Sequence, residues 1–86
     1  MHALQAIETK YHGATNTKGS RISATSASGI KTYIDYPHEL SGVDCHAIAA
    51  EKLARNLEWL KQEDAFENKY IAGGTRSGYV FVRASQ

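Results

Sequence analysis

The chain has 86 residues, a formal net charge of +1 and a single cysteine, Cys45. This length suits one domain with one hydrophobic core, residues 1–86, and the single thiol excludes an intramolecular disulfide framework. The first ten residues have neither a basic leader nor an apolar run of signal-peptide length, and no segment resembles a membrane span, so we expect a cytoplasmic protein that does not contact membranes.

The charges are unevenly distributed along the sequence. Residues 1–34 carry four cations and one acid, residues 35–67 carry three cations and eight acids, and residues 68–86 carry three cations and no acid. The middle of the chain is therefore acidic, whereas both flanking segments are basic. We expect the folded molecule to be electrostatically polarised.

Three strands are predicted before the middle of the chain. The first is Ala3–Tyr11, whose alternation is imperfect, and it is followed by a loop, His12–Gly19, that is rich in Gly, Asn and Thr. Ser20–Ser26 and Ile30–Tyr36 alternate apolar and polar residues, as half-buried strands do, and a Ser-Gly pair predicts the turn between them. Pro37 ends the third strand.

An amphipathic helix is predicted at Ser41–Leu60. Ser41 and Asp44 resemble a capping box, because the hydroxyl accepts from a free backbone N–H and the carboxylate lies at the positive end of the helix dipole. At about 100° per residue, one narrow arc faces the core, with His46 near its middle. The residues of this arc are Ala49, Ala50, Leu53, Leu57 and Leu60.

A second apolar stripe is expected on the far side of this helix. Ile48 and Trp59 are eleven residues apart, which makes them almost eclipsed on a helix. They form a candidate second interface for a protein partner or another copy of the chain. Alternatively, the charged segment after Leu60 folds over Trp59 through Phe66.

The remaining sequence predicts a hairpin. After a charged connection at Lys61–Asn68, the strands Lys69–Ala72 and Tyr79–Arg83 flank a Gly-Gly-Thr-Arg-Ser-Gly turn. The order β-β-β-α-β-β predicts a single α+β domain in which one helix packs on one face of a five-stranded, mainly antiparallel sheet. The opposite sheet face then has no helix to cover it.

This open sheet face is the predicted binding surface. If Val80 and Val82 pack beneath the helix, the aromatic rings between them point outward, since alternate residues of a strand face opposite sides. Rings that stack on bases, beside cations that bind phosphates, are typical of proteins that bind single-stranded nucleic acid. The candidate residues are Lys18, Arg21, Lys31, Tyr33, Arg76, Tyr79, Phe81 and Arg83. A homodimer that buries the same face, or the ordinary preference of strands for aromatic residues, is the alternative.

Catalytic and metal sites are not predicted. Cys45 and His46 diverge by about 100° on a helix and do not form a nucleophile and base pair with each other, although His12 or His38 remains a partner for Cys45. The four histidines lack the spacing that preorganises a metal site, so we expect no metal and no cofactor. We expect His46 to be neutral and hydrogen-bonded to the corner at residues 36–38 or to a backbone carbonyl, the alternative being a proton carrier.

Three segments resemble a group of short uncharacterised proteins encoded by bacteriophages, plasmids and integrated elements of bacteria. They are Lys10–Ala24, with the pattern K-Y-x-G-x-T-N-x-K-G-S-R-I-x-A, then Tyr36–Gly42 and Gly78–Val82. The resemblance implies a mobile genetic element in a bacterial host cell, and it implies no particular mechanism. Small proteins of such elements often act by binding.

Two functions are therefore predicted for the chain. The leading hypothesis is a small, non-enzymatic binding protein that contacts nucleic acid through the basic, aromatic sheet face. The alternative is an anti-defence protein, of the anti-CRISPR or anti-restriction type, that inhibits a host complex by protein–protein binding through the same face or through the side of Trp59.

Overall fold

A computed structural model describes residues 6–17, 19–37, 40, 42–61 and 63–83. The elements are β1 (Ala6–His12), β2 (Arg21–Ser26), β3 (Lys31–Asp35), α1 (Val43–Asn56), α2 (Phe66–Lys69), β4 (Tyr70–Gly74) and β5 (Gly78–Arg83). The predicted α+β class and the order β-β-β-α-β-β are confirmed. The short α2 is an additional turn of helix that begins in the predicted charged connection and includes Lys69, which is predicted to begin the next strand.

The five strands form one antiparallel sheet in the order β3-β2-β1-β5-β4. β1 lies in the centre of the sheet, where it pairs with β2 on one side and with β5 on the other. α1 packs across β2, β1 and β3 on one face. Neither described helix is long and apolar enough to span a bilayer.

Strand register determines which side chains lie beneath α1. Thr9 of β1 is opposite Ala24 of β2 and Tyr79 of β5, and opposed residues of antiparallel strands share a face. This face and the inner side of α1 form the core. Its buried apolar members are Ile7, Ile22, Ala24, Cys45, Ala49, Ala50, Leu53, Ala54, Leu60, Phe66, Tyr70 and Phe81.

The predicted orientation of β5 is wrong. Phe81 is only 2% exposed and its ring lies 5.5 Å from that of Phe66, whereas the Tyr79 ring packs against His46 at 4.8 Å. Val80 and Val82 are on the open face instead. The reason is volume, because the inner side of α1 is rich in alanine and only large rings on the sheet fill the space beneath it.

α1 ends four residues before the predicted boundary, in a Schellman motif. Glu58 adopts a left-handed conformation, with φ of 61°, and its N–H bonds to the Arg55 carbonyl at 3.1 Å. The Trp59 N–H bonds to the Ala54 carbonyl at 2.9 Å. The predicted stripe of Ile48 and Trp59 is therefore wrong, since Trp59 follows the helix and packs against the core while Ile48 is 41% exposed.

The start of α1 also differs in detail from the prediction. Gly42 is the N-cap residue and makes no side-chain capping bond, whereas Asp44 lies in the first turn, as predicted. The predicted cap, Ser41, is outside the described residues. The carboxylate of Asp44 remains in position to interact with the positive end of the helix dipole.

Gly78 provides a test of the contact between β1 and β5. A Cβ at this position would overlap the carbonyl oxygen of Thr9 and lie 2.9 Å from its carbonyl carbon. Relieving this overlap would require the backbone of the central strand to shift, which destabilises the sheet. We expect Gly78→Ala to lower the free energy of unfolding by about 3 kcal/mol, measured by urea denaturation. The control is Gly74→Ala, because a Cβ at Gly74 meets nothing within 4 Å. A similar loss in both variants would contradict this expectation.

Glu58 provides a test of the helix end. A residue with a side chain is strained in the left-handed region by about 1–2 kcal/mol, and glycine is not. Because glycine also increases the entropy of the unfolded chain, we expect Glu58→Gly to raise the free energy of unfolding by about 0.5–1 kcal/mol net. Glu58→Ala removes the charge and keeps the strain, so it should not stabilise the protein. Stabilisation by both variants would assign the effect to charge.

Candidate nucleic-acid interface

The open face has two halves of different chemistry. β1, β2 and β3 present alternate polar residues, whereas β5 and β4 present Val80, Val82 and Ile71, which follow from the register. We call the first set the cationic half and the second set the apolar half. The cationic half consists of Glu8, Lys10, His12, Arg21, Ser23, Thr25, Lys31, Tyr33 and Asp35.

Tyr33 is the exposed aromatic ring of the cationic half. It is 41% exposed, and the guanidinium carbon of Arg21 lies 5.0 Å from its centroid. The Lys31 ammonium lies 5.9 Å from the same centroid. Cation–π contacts of this kind contribute about 0.5–1 kcal/mol at exposed sites, so the ring and the cations hold one another in place.

The cations of this half are not neutralised by neighbouring carboxylates. Arg21 is opposite Asp35 in the register, yet within the described ranges the ion pair is that between Arg55 and Glu51 on α1, at 2.8 Å. The Arg21 Nε–H is buried and donates to no acceptor among the described residues. The positive groups of Lys10, Arg21 and Lys31 are thus available to bind an external anion.

His12 lies among these cations as a neutral side chain. Its Nε2 is 2.9 Å from the Ser23 hydroxyl, and its ring is 5.7 Å from that of Tyr33. Burial lowers the pKa of His12 below 6.5, and the positive charges of Arg21, Lys10 and Lys31 lower it further. The imidazole at neutral pH therefore offers hydrogen bonds without adding charge.

A shallow depression of about 400 Å³ lies at the border of the cationic half. It is lined by Glu8, Lys10, His12, Ser23, Thr25, Lys31 and Ser77. Two ammonium groups, an imidazole and three hydroxyls are the donors that bind phosphate oxygens, and Glu8 is an acceptor at the same place. This arrangement suits a group that combines negative charge with hydrogen-bond donors, as a nucleotide does.

The structure separates the predicted site residues. Arg21, Lys31 and Tyr33 lie together on the open face, and Arg76 is exposed in the turn between β4 and β5. Arg83 lies on the helix side, where its guanidinium donates to the Trp59 carbonyl at 2.7 Å, so its placement on the binding face is wrong. Tyr79 and Phe81 lie beneath α1, and Lys18 falls outside the described residues.

Sequence reasoning missed Lys10, His12 and Ser23. The signal was present, because Glu8, Lys10 and His12 are spaced by two residues and share one face of β1. The sequence predicts His12 in the following loop, whereas β1 extends through it. Ser23 alternates with Arg21 in the same way on β2.

On the helix side, Thr9 hydrogen-bonds to His46. The Thr9 hydroxyl lies 2.8 Å from His46 Nδ1 and donates to the Tyr79 carbonyl at 3.2 Å. A hydroxyl has one proton, so Thr9 accepts from a protonated Nδ1. The partner of Nδ1 is therefore the Thr9 side chain, and not the corner at residues 36–38 or the backbone carbonyl that the sequence predicts. Burial lowers the pKa of His46, which favours the neutral imidazole.

Cys45 lies on the inner side of α1, away from His12. Its Sγ is 3.8 Å from the Pro37 carbonyl, and it hydrogen-bonds to Tyr36, which raises the pKa of that tyrosine. His12 is on the opposite face of the sheet, so the two side chains do not form a catalytic pair; His38 is outside the described residues. The described part of the chain contains no group of three side chains placed to ligate a metal.

Comparison of the chain with protein-family models, with curated proteins and with solved structures finds no match. The likeness to proteins of mobile elements remains a prediction from the sequence. Function is therefore inferred from the geometry of the open face.

The lowered pKa values of His12 and His46 predict that the stability of the fold depends on pH. Because the folded state lowers both pKa values below 6.5, the unfolded state binds more protons as the pH falls. Their contribution to stability is complete above pH 6.5 and is lost as the pH falls through the folded-state values. We expect the urea midpoint to be lower at about pH 5.5 than at about pH 7.5. The difference should shrink in His46→Gln and shrink further in His12→Gln/His46→Gln; an unchanged difference in the double variant would contradict this assignment.

Proposed function

We propose that the protein is a small, non-catalytic binding protein that contacts single-stranded nucleic acid through the cationic half of its open face. The proposal is supported by Lys10, Arg21 and Lys31, which lie on three neighbouring strands around the exposed Tyr33. With strands about 4.8 Å apart, the three cations span about 10 Å across the sheet. A backbone of regularly spaced phosphates is complementary to such a group.

The cationic half offers one region on which nucleic-acid bases can stack. With Tyr79 and Phe81 beneath α1, Tyr33 is the ring that remains on the cationic half. The guanidinium plane of Arg21 beside it is a second surface on which bases stack. Since each stacked base contributes about 1–3 kcal/mol, most of the affinity should come from phosphates and should depend strongly on salt.

The charges on the helix side also bear on which face a polyanion approaches. α1 and the segment that follows it carry the acids, whereas the cationic half carries three cations against Glu8 and Asp35. The acids on the helix side are Asp44, Glu51, Glu58, Glu63, Asp64 and Glu67. The helix side also carries Lys52, Arg55, Lys61, Lys69 and Arg83, so its acids exceed its cations by one, whereas the cations of the cationic half exceed its acids by one. This difference favours the approach of a polyanion to the open face only weakly.

A protein partner is the second candidate function. The apolar half of the open face includes Ile71, which is 64% exposed, next to Val82 on β5. Apolar side chains beside cations also suit a protein surface. Under this proposal the chain is an anti-defence protein of a mobile element, acting in the cytoplasm of its bacterial host by binding a defence complex.

Salt dependence tests the leading proposal. Fluorescence anisotropy with a labelled single-stranded oligonucleotide should show binding that weakens as salt rises from about 50 to 200 mM. Three phosphate contacts predict a slope of about −2 in log K against log salt, at about 0.7 per contact. Lys31→Ala should weaken binding and reduce the magnitude of the slope by about 0.7. Tyr33→Leu should weaken binding and leave the slope unchanged.

Lys61→Ala is the matched control for this experiment. Lys61 is an exposed cation on the connection after α1, remote from the cationic half, so its removal changes the net charge without touching the site. Equal losses in Lys61→Ala and Lys31→Ala, or no binding at about 50 mM salt, would overturn the proposal. A bacterial protein retained after nuclease treatment would instead support the anti-defence function.

A further inference from the structure

The two edges of the sheet are protected to different extents. β3 forms one edge and carries the charged residues Lys31 and Asp35. Lys52 of α1 reaches over this edge and donates its Nζ to the Tyr33 carbonyl at 3.1 Å. Charges and a covering side chain are the usual means by which an edge strand avoids pairing with another chain.

β4 forms the other edge, and the described residues give it neither protection. Its sequence, Tyr-Ile-Ala-Gly-Gly, contains no charged residue, and Ile71–Gly74 is exposed. In the strand order, β4 has β5 on one side and no further strand on the other within the described residues. An exposed, uncharged edge of this kind is a template for another strand.

Hydrogen bonding determines which backbone groups of β4 are free. The Thr75 N–H donates to the Gly78 carbonyl at 2.8 Å, which makes these residues a bonded pair at the end of the hairpin. Bonded and non-bonded pairs alternate in an antiparallel ladder, so Gly73 and Ile71 bond to β5. Ala72 and Gly74 therefore turn both N–H and C=O outward.

Tyr70 adds one outward hydrogen-bond acceptor to the edge of β4. It also lies at a non-bonded position opposite Arg83, so its carbonyl points outward. Its N–H already donates to the Phe66 carbonyl at the end of α2. The outward edge of β4 thus offers two donors, at Ala72 and Gly74, and carbonyl acceptors at Tyr70, Ala72 and Gly74.

We propose that β4 binds β4 of a second copy of this chain, antiparallel, about a two-fold axis at Ala72. In this register Ala72 of each copy bonds to the other, and the Gly74 N–H of each copy donates to the Tyr70 carbonyl of the other. The outward N–H groups of Ala72 and Gly74 are thus bonded in both copies. Tyr70, whose own N–H already bonds to Phe66, contributes its carbonyl to the Gly74 N–H. Such an isologous contact closes as a dimer.

Side chains fit the same register. Ile71 falls opposite Gly73 of the second copy, at a non-bonded pair where the two Cα atoms approach to about 4.5 Å. A branched side chain over a glycine fills space there without a clash. Val80 and Val82 lie beside these residues on β5, so an apolar strip continues across the junction. No charged residue of either β4 faces another.

The dimer is independent of the proposed nucleic-acid contact. A two-fold axis perpendicular to the joined sheets leaves both open faces on the same side, and β1, β2 and β3 lie away from the junction. The cationic half of each copy therefore stays accessible. If the chain is a monomer that binds nucleic acid, the dimer proposal alone fails. If it is a dimer that does not bind nucleic acid, the nucleic-acid proposal alone fails.

Ala72→Pro tests the dimer without disturbing the fold. Proline removes the outward N–H at the two-fold axis, and an edge strand tolerates it there because that N–H makes no bond to β5. The wild-type chain and the control Ala72→Val, which keeps the N–H, should both approach twice the chain mass of 9.4 kDa as concentration rises, measured by sedimentation equilibrium. Ala72→Pro should remain a monomer with an unchanged circular dichroism spectrum.

Cysteine crosslinking provides a second measurement. Bonded pairs have Cα atoms about 5.5 Å apart, within the range of a disulfide. Ala72→Cys should form a crosslinked dimer on mild oxidation, whereas Ser77→Cys, exposed but away from the axis, should not; Cys45 is buried in both. A wild-type monomer up to about 1 mM, equal dimerisation of Ala72→Pro, or equal crosslinking of both cysteine variants would overturn the proposal.

Discussion

The hydroxyl of Thr9, on the central strand β1, joins α1 to the neighbouring strand β5. It accepts from His46 on the helix and donates to the Tyr79 carbonyl on β5, and Thr9 itself is fully buried. A buried imidazole without this partner would lose a hydrogen bond at a cost of about 1–3 kcal/mol. The bond therefore favours one placement of the helix, above Tyr79 and Phe81. This placement determines which side chains remain on the open face.

Much of the fold was predictable because β2 and β3 each have one polar side. Arg21, Ser23 and Tyr33 alternate with apolar residues, so their face follows from the sequence. β5 has apolar residues on both faces, and periodicity alone does not orient it. The small volume of the alanines on α1 favours the orientation in which the rings face inward. The end of α1 was missed because Glu58 occupies a position that usually carries glycine.

The candidate site was half predictable for the same reason. Arg21, Lys31 and Tyr33 come from strands of clear polarity, and the structure brings them together. Lys10 and His12 complete the group from β1; the predicted strand contains Lys10 and ends one residue before His12. Arg83 was misplaced together with the rings of β5, since an error in the orientation of one strand moves each of its side chains to the opposite face.

The pairing of β1 with β5 brings the most distant described parts of the sequence together, as Ala6 lies opposite Val82. Folding must therefore close a loop of nearly the whole chain before the centre of the sheet forms, and closure of long loops slows folding. A circular permutant that connects these two strand ends by a short linker and opens the chain in the loop after β1 would make the central pairing local. Its folding would accelerate, while the helix, the core and the cationic half would keep the same neighbours.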